Sequence, residues 1–328
     1  MSAPGIRTVA VVGGTGMFGG SVASSLLQDP KFRVRVTTRD VTTERARRIR
    51  DQGAEVVQAD SWNADELASA FKGCWSLFLN TNSDDANFKQ EIGPPEFEMG
   101  KIVIDAAIKQ GIKYFVFAGL PYASKLTGGA VPILSFDNKA AISEYARHAG
   151  FRSVVDVNSA WAMEVFFMEV YGKAFGGFAT VVDTDGYLTL KLPPMGGNPE
   201  TTPWTSASDD YGDAVHGVFC DPEQWDGQTI WAVSQELSFQ EVVDTYNDTI
   251  TEALSAATKG KTKEVNGLMG YCNFVKGHFC DGEPVDQSAM KKLKAMSAAA
   301  KGRGEDEAEL QTVEQFLRRR TQGIFTAS

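Results

Sequence analysis

The sequence predicts an α/β protein with a doubly wound parallel sheet and a smaller C-terminal α/β domain. Short apolar runs alternate with amphipathic helical segments over residues 1–157, which is typical of parallel strands joined by crossover helices. The first of these runs breaks into a glycine-rich turn. From about residue 158 the alternation becomes irregular and aromatic side chains are frequent. We therefore expect a second unit, residues 158–328, that contacts a substrate or a partner.

The first strand and its turn lie within residues 9–20, which read VAVVGGTGMFGG. Gly13, Gly16 and Gly19 follow a G-x-x-G-x-x-G spacing, which resembles that of short-chain dehydrogenases/reductases. Glycine lets main-chain N–H groups approach a pyrophosphate, and the helix predicted over residues 21–27 directs its positive N-terminal end at the same place. The stretch therefore predicts a Rossmann-type nucleotide-binding turn.

The second strand, predicted over residues 31–39, completes a βαβ unit and ends beside the position of an adenosine ribose. Arg39 comes before Asp40 there, and a guanidinium pairs with a 2′-phosphate, so the sequence favours NADP(H). Two alternatives remain: a solvent-facing Arg39, or an Asp40 that binds the ribose of NAD. The basic run over residues 45–50 begins near enough to Arg39 to assist a 2′-phosphate.

Four further strands are predicted over residues 54–60, 76–82, 114–120 and 153–157, with helices between them. Ligands of such sheets lie outside the carboxyl ends of the strands. This rule indicates cofactor-lining positions after three strands: Asp60, Ser61, Thr81, Asn82, Ser83 and Gly119.

The C-terminal half is predicted to hold aromatic packing between two domains, with a substrate pocket as the alternative. Its elements are a strand over residues 187–192, helices over 209–220, 238–254 and 310–320, and a strand over 229–233. Residues near 205–234 are expected to return to the first domain. The polar segment 283–309 is expected to be partly mobile.

Charge and cysteine content exclude several classes of function. The formal net charge of −10 opposes non-specific binding to nucleic acid. We expect no signal peptide and no membrane span, and hence a cytoplasmic protein, with a nuclear role left open. The four cysteines are too few for a disulfide framework, and the spacing of Cys272, His278 and Cys280 fits no common zinc pattern, so no metal is expected.

A catalytic group is harder to find. A Tyr-x-x-x-Lys pair occurs at Tyr187 and Lys191, but its alternating surroundings predict a strand, whereas the proton-transferring pair belongs on a helix. Lys139 stands alone on the helix that should carry such a pair. It is a candidate for the nicotinamide ribose, or for proton transfer if burial destabilises its charged form; an ordinary surface lysine is the alternative.

Together these residues resemble the NmrA-like family, atypical members of the short-chain dehydrogenase/reductase superfamily. The likeness is carried by the glycine turn, residues 33–39, residues 52–60 and the FDNK segment at 136–139, and extends to about residue 241. It is strongest to an NADP(H) redox-sensor branch. The resemblance implies a pyrophosphate at Thr15, Gly16, Met17 and Phe18, a 2′-phosphate at Arg39, adenine near Asp60 and Ser61, the nicotinamide half at Thr81, Asn82 and Ser83, and closure over the nicotinamide by Lys139, Trp161, Met163 and Glu164.

The lysine position also resembles that of the isoflavone-reductase branch, where a lysine is catalytic. Two departures from the sensor branch stand out. Residues 83–95 differ from it, with Glu98 nearby at a position where the resemblance implies a basic residue that contacts the cofactor, and the tail beyond residue 283 finds little to match.

Two functions follow. The first is an NADP(H)-binding redox sensor that binds a regulatory protein partner according to its nucleotide. The alternative is an NADPH-dependent reductase of a small aromatic or enone metabolite that uses Lys139. A scaffold with a purely structural nucleotide is less favoured, and a homodimer is left open.

Overall fold

The computed structural model describes residues 5–83, 85, 95–181, 183, 187–192, 196–197, 200–249 and 285–325. Ten strands are formed in these ranges: β1 (Arg7–Val12), β2 (Phe32–Thr38), β3 (Glu55–Gln58), β4 (Ser76–Leu79), β5 (Tyr114–Phe117), β6 (Ser153–Asn158), β7 (Trp161–Ala162), β8 (Thr202–Thr205), β9 (Thr229–Trp231) and β10 (Gln235–Leu237).

The described α-helices are α1 (Met17–Leu26), α2 (Glu44–Asp51), α3 (Ala64–Phe71), α4 (Glu96–Lys109), α5 (Ala123–Leu126), α6 (Leu134–His148), α7 (Glu169–Ala174), α8 (Gly212–Cys220), α9 (Phe239–Thr249), α10 (Ser288–Ala300) and α11 (Val313–Phe325). No helix among the described residues is long and apolar enough to cross a membrane.

Seven strands form one parallel sheet in the order β3-β2-β1-β4-β5-β6-β9. The order reverses between β1 and β4, which is where ligands of doubly wound sheets bind. Successive β1 residues alternate between two cores: Val9 and Val11 face α1 and α8, whereas Ala10 and Val12 face α3 and α4. The doubly wound parallel sheet predicted from the sequence is confirmed.

A second, three-stranded sheet has the order β10-β8-β7 and carries an aromatic core. Trp204 is fully buried at its centre, with the rings of Trp161 and Phe166 centred 6.1 and 5.1 Å away. The aromatic residues Trp161, Phe166 and Trp204 therefore pack against one another.

One expectation for the C-terminal half is wrong, and the expected mobility of residues 283–309 stays a prediction. Residues 187–192 are not a regular strand: Thr189 accepts from the Phe178 N–H at 3.2 Å and Lys191 donates to Phe175 at 2.9 Å, so they pair with a turn instead of a strand. The segment expected to be partly mobile contains α10, where Met290 and Leu293 are fully buried beside α8. Its apolar positions are spaced like those of a packed helix despite the polar composition.

Candidate functional site

A polar cleft of about 440 Å³ opens at the carboxyl ends of β1, β2, β3 and β4. Its position matches the reversal of strand order in the main sheet. The lining residues come from the ends of β1, β2 and β4, from the glycine turn and the segments after β2, β3 and β4, and from α2 and α4: Val12, Gly13, Thr15, Gly16, Met17, Thr37, Thr38, Arg39, Arg45, Ala59, Asp60, Ser61, Trp62, Leu79, Asn80, Thr81, Asn82, Asp85 and Met99.

The floor of the cleft is the glycine turn between β1 and α1, where Gly13 and Gly19 leave no room for a side chain. Gly13 has a positive φ of 81°, and a Cβ there would lie 2.5 Å from the carbonyl oxygen of Asn80. A Cβ on Gly19 would lie 2.3 Å from the carbonyl oxygen of Gly13. The two glycines therefore let α1 pack directly against the turn and bring its first residues to the cleft.

The N-terminal end of α1 faces this turn without a side-chain cap. Gly16 occupies the N-cap position and the first turn contains no acidic residue. The first N–H groups of a helix have no partner within the helix, and the helix dipole adds partial positive charge there. The N–H of Gly16 donates to the carbonyl oxygen of Gly13 at 2.9 Å, so the site for an anion is at Met17, which begins α1 and lines the cleft.

Beyond β2 the cleft is lined by two arginines. Arg39 is 59% exposed and its Nη1 donates to the buried carboxylate of Asp85 at 2.8 Å. Arg45, at the start of α2, forms no ion pair within the described part of the chain. Asp40 does not line the cleft: its Oδ1 accepts from the Thr42 N–H at 2.7 Å, and hydrogen bonds from Thr42 lower the pKa of this carboxyl.

The segment after β3 contributes Asp60, Ser61 and Trp62. Asp60 is held from both sides, since its N–H donates to Glu66 at 2.8 Å and its Oδ1 accepts from the Trp62 N–H at 3.0 Å. Asp60, just beyond the carboxyl end of β3, is therefore held in place at the rim of the cleft.

Lys139 lies under the cleft and not in it. Its Nζ is 2.9 Å from Glu96 Oε1 and donates to both the carbonyl oxygen, at 2.9 Å, and the hydroxyl of Thr81. The side chains of Lys139 and Glu96 are 7% and 3% exposed. Both hydrogen bonds of this ammonium thus go to Thr81, and Glu96 supplies its counter-charge.

The chain is similar in sequence to proteins of a known family. The sequence model of the NmrA-like family matches residues 6–301. The chain belongs to the NmrA-like family. Two fungal relatives are each 37% identical: the NmrA-like family domain-containing oxidoreductases lnaB of Aspergillus flavus and cpsB of Aspergillus campestris. Each alignment covers 94% of this chain and 96% of the relative.

The NmrA-like fold is also found in solved structures. NmrA, a negative transcriptional regulator solved with NADP, superposes with a TM-score of 0.73 at 17% identity over 99% of both chains. The triphenylmethane reductase of Citrobacter sp., solved with NADP(H), gives a TM-score of 0.63 at 16% identity, over 95% of this chain and 99% of that one. At this level of identity the likeness establishes the fold.

The structure brings together nine of the residues predicted to bind a cofactor. These line the single cleft described above: Gly13, Thr15, Gly16, Met17, Arg39, Asp60, Ser61, Thr81 and Asn82. Arg45, suggested as an assistant to Arg39, lines it as well.

Other predicted residues lie elsewhere. Phe18 packs against Tyr211, with ring centroids 4.7 Å apart, and Ser83 lies just outside the cleft lining. Gly119 lines a separate groove between the segment after β5 and α6, where a Cβ would lie 2.6 Å from Asn158 Oδ1.

The turn expected to close over a nicotinamide is taken up by packing. Trp161 and Met163 are 6% and 1% exposed within the aromatic core. Glu164 accepts from the N–H groups of Ala207 and Ser208 at 3.2 and 2.8 Å, at the start of the helical turn before α8. In this structure all three act as structural residues.

Sequence reasoning missed several lining residues, among them Trp62, Asn80, Asp85 and Met99. Asn80 follows a buried strand and was within reach of the carboxyl-end rule. Asp85 follows no periodic pattern, and its partner Arg39 is 46 positions away in the sequence. Residues Cys272, His278 and Cys280 lie outside the described residues.

Proposed function

We propose that this protein is an NADP(H)-dependent oxidoreductase that reduces a small organic acceptor. The arrangement of the cleft supports this proposal: an anion site at the start of α1 shares the cleft with Arg39, after β2, and Arg45, at the start of α2. A phosphorylated dinucleotide needs these parts in this order. The relatives that are named oxidoreductases match nearly the whole chain, which favours the catalytic role.

Each part of the cleft has a proposed task. Met17, at the start of α1, donates its main-chain N–H group to the pyrophosphate, and Arg39 and Arg45 bind the 2′-phosphate. Asp60 and Ser61 contact the adenosine half, while Thr81 and Asn82 line the nicotinamide half. When bound, the reduced nicotinamide supplies a hydride to the acceptor.

Lys139 supports the cleft in this proposal by fixing Thr81. It forms an ion pair with Glu96 and donates two hydrogen bonds to Thr81, so it holds the end of β4 against α4 and α6. Direct proton transfer by Lys139 would require one of these contacts to break.

The test begins with titration of the purified protein with NADPH and NADH, followed by nicotinamide fluorescence, and with NADP⁺, followed by calorimetry. Consumption of NADPH is then measured with aromatic and enone compounds as acceptors. The expected result is saturable NADPH binding and turnover of at least one acceptor class. Absence of binding by all three nucleotides would overturn the proposal.

A redox sensor is the second candidate, and one observation favours it. The Tyr-x-x-x-Lys pair at Tyr187 and Lys191 lies outside any helix, and Lys139 is buried in an ion pair with Glu96 and in hydrogen bonds to Thr81. A sensor must bind oxidised and reduced nucleotide with different affinity, or in different conformations. Limited proteolysis in NADP⁺ and in NADPH would differ for a sensor without turnover, and would be identical for a plain reductase.

A further inference from the structure

Asp85 places a negative charge inside the part of the cleft that is otherwise basic. It follows β4, and its N–H donates to the carbonyl oxygen of Asn82 at 3.0 Å, forming a turn. Its side chain is 6% exposed and accepts from Arg39 Nη1 at 2.8 Å. The pair therefore joins the end of β2 to the segment after β4.

This contact has opposite consequences for two nucleotides. A guanidinium has a fixed fork of donors, and Asp85 already takes one of them. A 2′-phosphate that approaches Arg39 meets a carboxylate of like charge at the same guanidinium, and the repulsion is large where both groups are shielded from water. A 2′-hydroxyl carries no charge and meets no such repulsion.

Arg45 is the second cationic side chain in this part of the cleft. It lines the same cleft and, within the described residues, no carboxylate pairs with it. The arginine that is left with its full positive charge is thus Arg45, while that of Arg39 is offset by Asp85.

We propose that Asp85 is a specificity-determining residue that narrows the preference for NADP(H) over NAD(H), an inference that rests on the proposed function. Asp85 competes with the 2′-phosphate for Arg39 and leaves the 2′-hydroxyl nucleotide unaffected. Removal of the charge of Asp85 then converts a site that accepts both NADP(H) and NAD(H) into one that is selective for NADP(H).

The experiment measures dissociation constants for NADPH and NADH with the wild type, Asp85→Asn and Asp85→Ser. We expect the charge-removing variants to bind NADPH about three- to tenfold more tightly and to change NADH binding by less than about twofold. Asp40→Asn is the matched control: it removes the same charge one residue from Arg39, at a side chain outside the cleft. It should leave both constants unchanged.

Each outcome separates the two proposals. An NADPH-to-NADH ratio that stays constant in both Asp85 variants, or a loss of affinity shared equally by the two nucleotides, overturns the role of Asp85 and leaves the proposed function standing. A wild type that binds neither nucleotide overturns both. NADH binding also reports whether the cleft of each variant is intact, and Asp85→Ser gives a second reading if Asp85→Asn does not fold.

Discussion

Lys139 and Glu96 form a buried ion pair, with Nζ 2.9 Å from Oε1. Glu96 begins α4, Lys139 lies on α6, and the same ammonium donates to Thr81 after β4. Three elements that meet beneath the cleft are thus joined at one charged group. Loss of one partner from such a pair leaves the other buried without a counter-charge, which is far more costly than the net gain from the pair.

Lys139→Ala is therefore expected to lower the free energy of unfolding by about 3–5 kcal/mol. The matched control is Lys125→Ala, which removes an exposed pair with Glu144, both side chains about 60% exposed, and should cost less than about 1 kcal/mol. Denaturant titration measures both.

The same experiment separates a structural lysine from a catalytic one. Replacing both buried partners, as Lys139→Met with Glu96→Leu, should recover much of the lost stability because no unpaired charge remains. A Lys139→Ala protein of wild-type stability that binds NADPH and has lost all turnover would contradict the structural role.

Arg39→Ala is expected to weaken NADPH binding much more than NADH binding. Loss of a charged hydrogen bond to the 2′-phosphate costs about 1.5–3 kcal/mol, and the phosphate then faces the carboxylate of Asp85 with the charge of Arg39 removed. Isothermal titration with both nucleotides checks this. Arg50→Ala, an exposed arginine outside the cleft lining, is the control and should change neither affinity. Equal weakening of the two nucleotides would remove Arg39 from the phosphate site.

The sequence predicts the cleft where local chemistry specifies the backbone. Gly13 and Gly19 follow a spacing that requires a turn without side chains, and the structure shows why, since a Cβ at either position would meet main-chain atoms. Asp60 and Thr81 were found by the rule that parallel strands end at one edge. The glycine turn depends on local backbone geometry, and the positions of Asp60 and Thr81 depend on the parallel strands, which the alternating pattern indicates.

The contacts that decide chemistry could not be predicted in the same way. Arg39 and Asp85 are 46 residues apart, and Lys139 and Thr81 are 58 apart, so their pairing depends on how helices settle on the sheet. Apolar side chains such as those of Trp161 and Met163 occur both in ligand pockets and in protein cores. Only their burial in the structure distinguishes these two roles. Long-range packing is the information that the sequence pattern lacks.

Gly19 and Gly20 are adjacent on α1 yet should respond oppositely to a methyl group. A Cβ on Gly19 would lie 2.3 Å from the carbonyl oxygen of Gly13, so Gly19→Ala must displace the turn and should cost about 1–3 kcal/mol or more, as overpacking does. A Cβ on Gly20 makes an ordinary contact at 3.5 Å, so Gly20→Ala should be neutral or stabilising by up to about 1 kcal/mol.

Chemical denaturation of the two variants decides this. NADPH binding should fall with Gly19→Ala, because the displaced turn carries the anion site, and remain with Gly20→Ala. Similar losses of stability in both variants would mean that α1 as a whole, and not the close approach at Gly19, limits the fold.

His216 should make stability depend on pH. Its ring is fully buried on α8, with Nε2 3.2 Å from Asp29 and Nδ1 3.0 Å from the hydroxyl of Ser297. Burial, assisted by the charge of Lys301, lowers the pKa of His216 from 6.5 to about 4, although Asp29 opposes the shift. Between about pH 4 and pH 6.5, the imidazole of His216 is therefore neutral in the native protein and charged in the unfolded chain.

The sign follows from the direction of the shift. Because the folded-state pKa lies below the unfolded one, the native state is at its full stability above pH 6.5 and loses stability as the pH falls toward 4, by roughly 3 kcal/mol in total. Asp213 acts in a lower range: burial raises its pKa, but Lys294 and Lys301 outweigh this and lower the value to about 2. Its contribution is lost below pH 4, so the two groups are separable.

Thermal unfolding of the wild type and of His216→Gln between pH 7 and pH 4 tests this assignment. The midpoint of the wild type should fall over that range, and the slope should flatten in His216→Gln because the native and unfolded states no longer differ in imidazole protonation. His148→Gln removes an exposed histidine on α6, whose Nδ1 contacts the Glu144 carbonyl oxygen at 2.8 Å, and should keep the wild-type slope. If His216→Gln keeps that slope as well, the acid sensitivity arises from other groups.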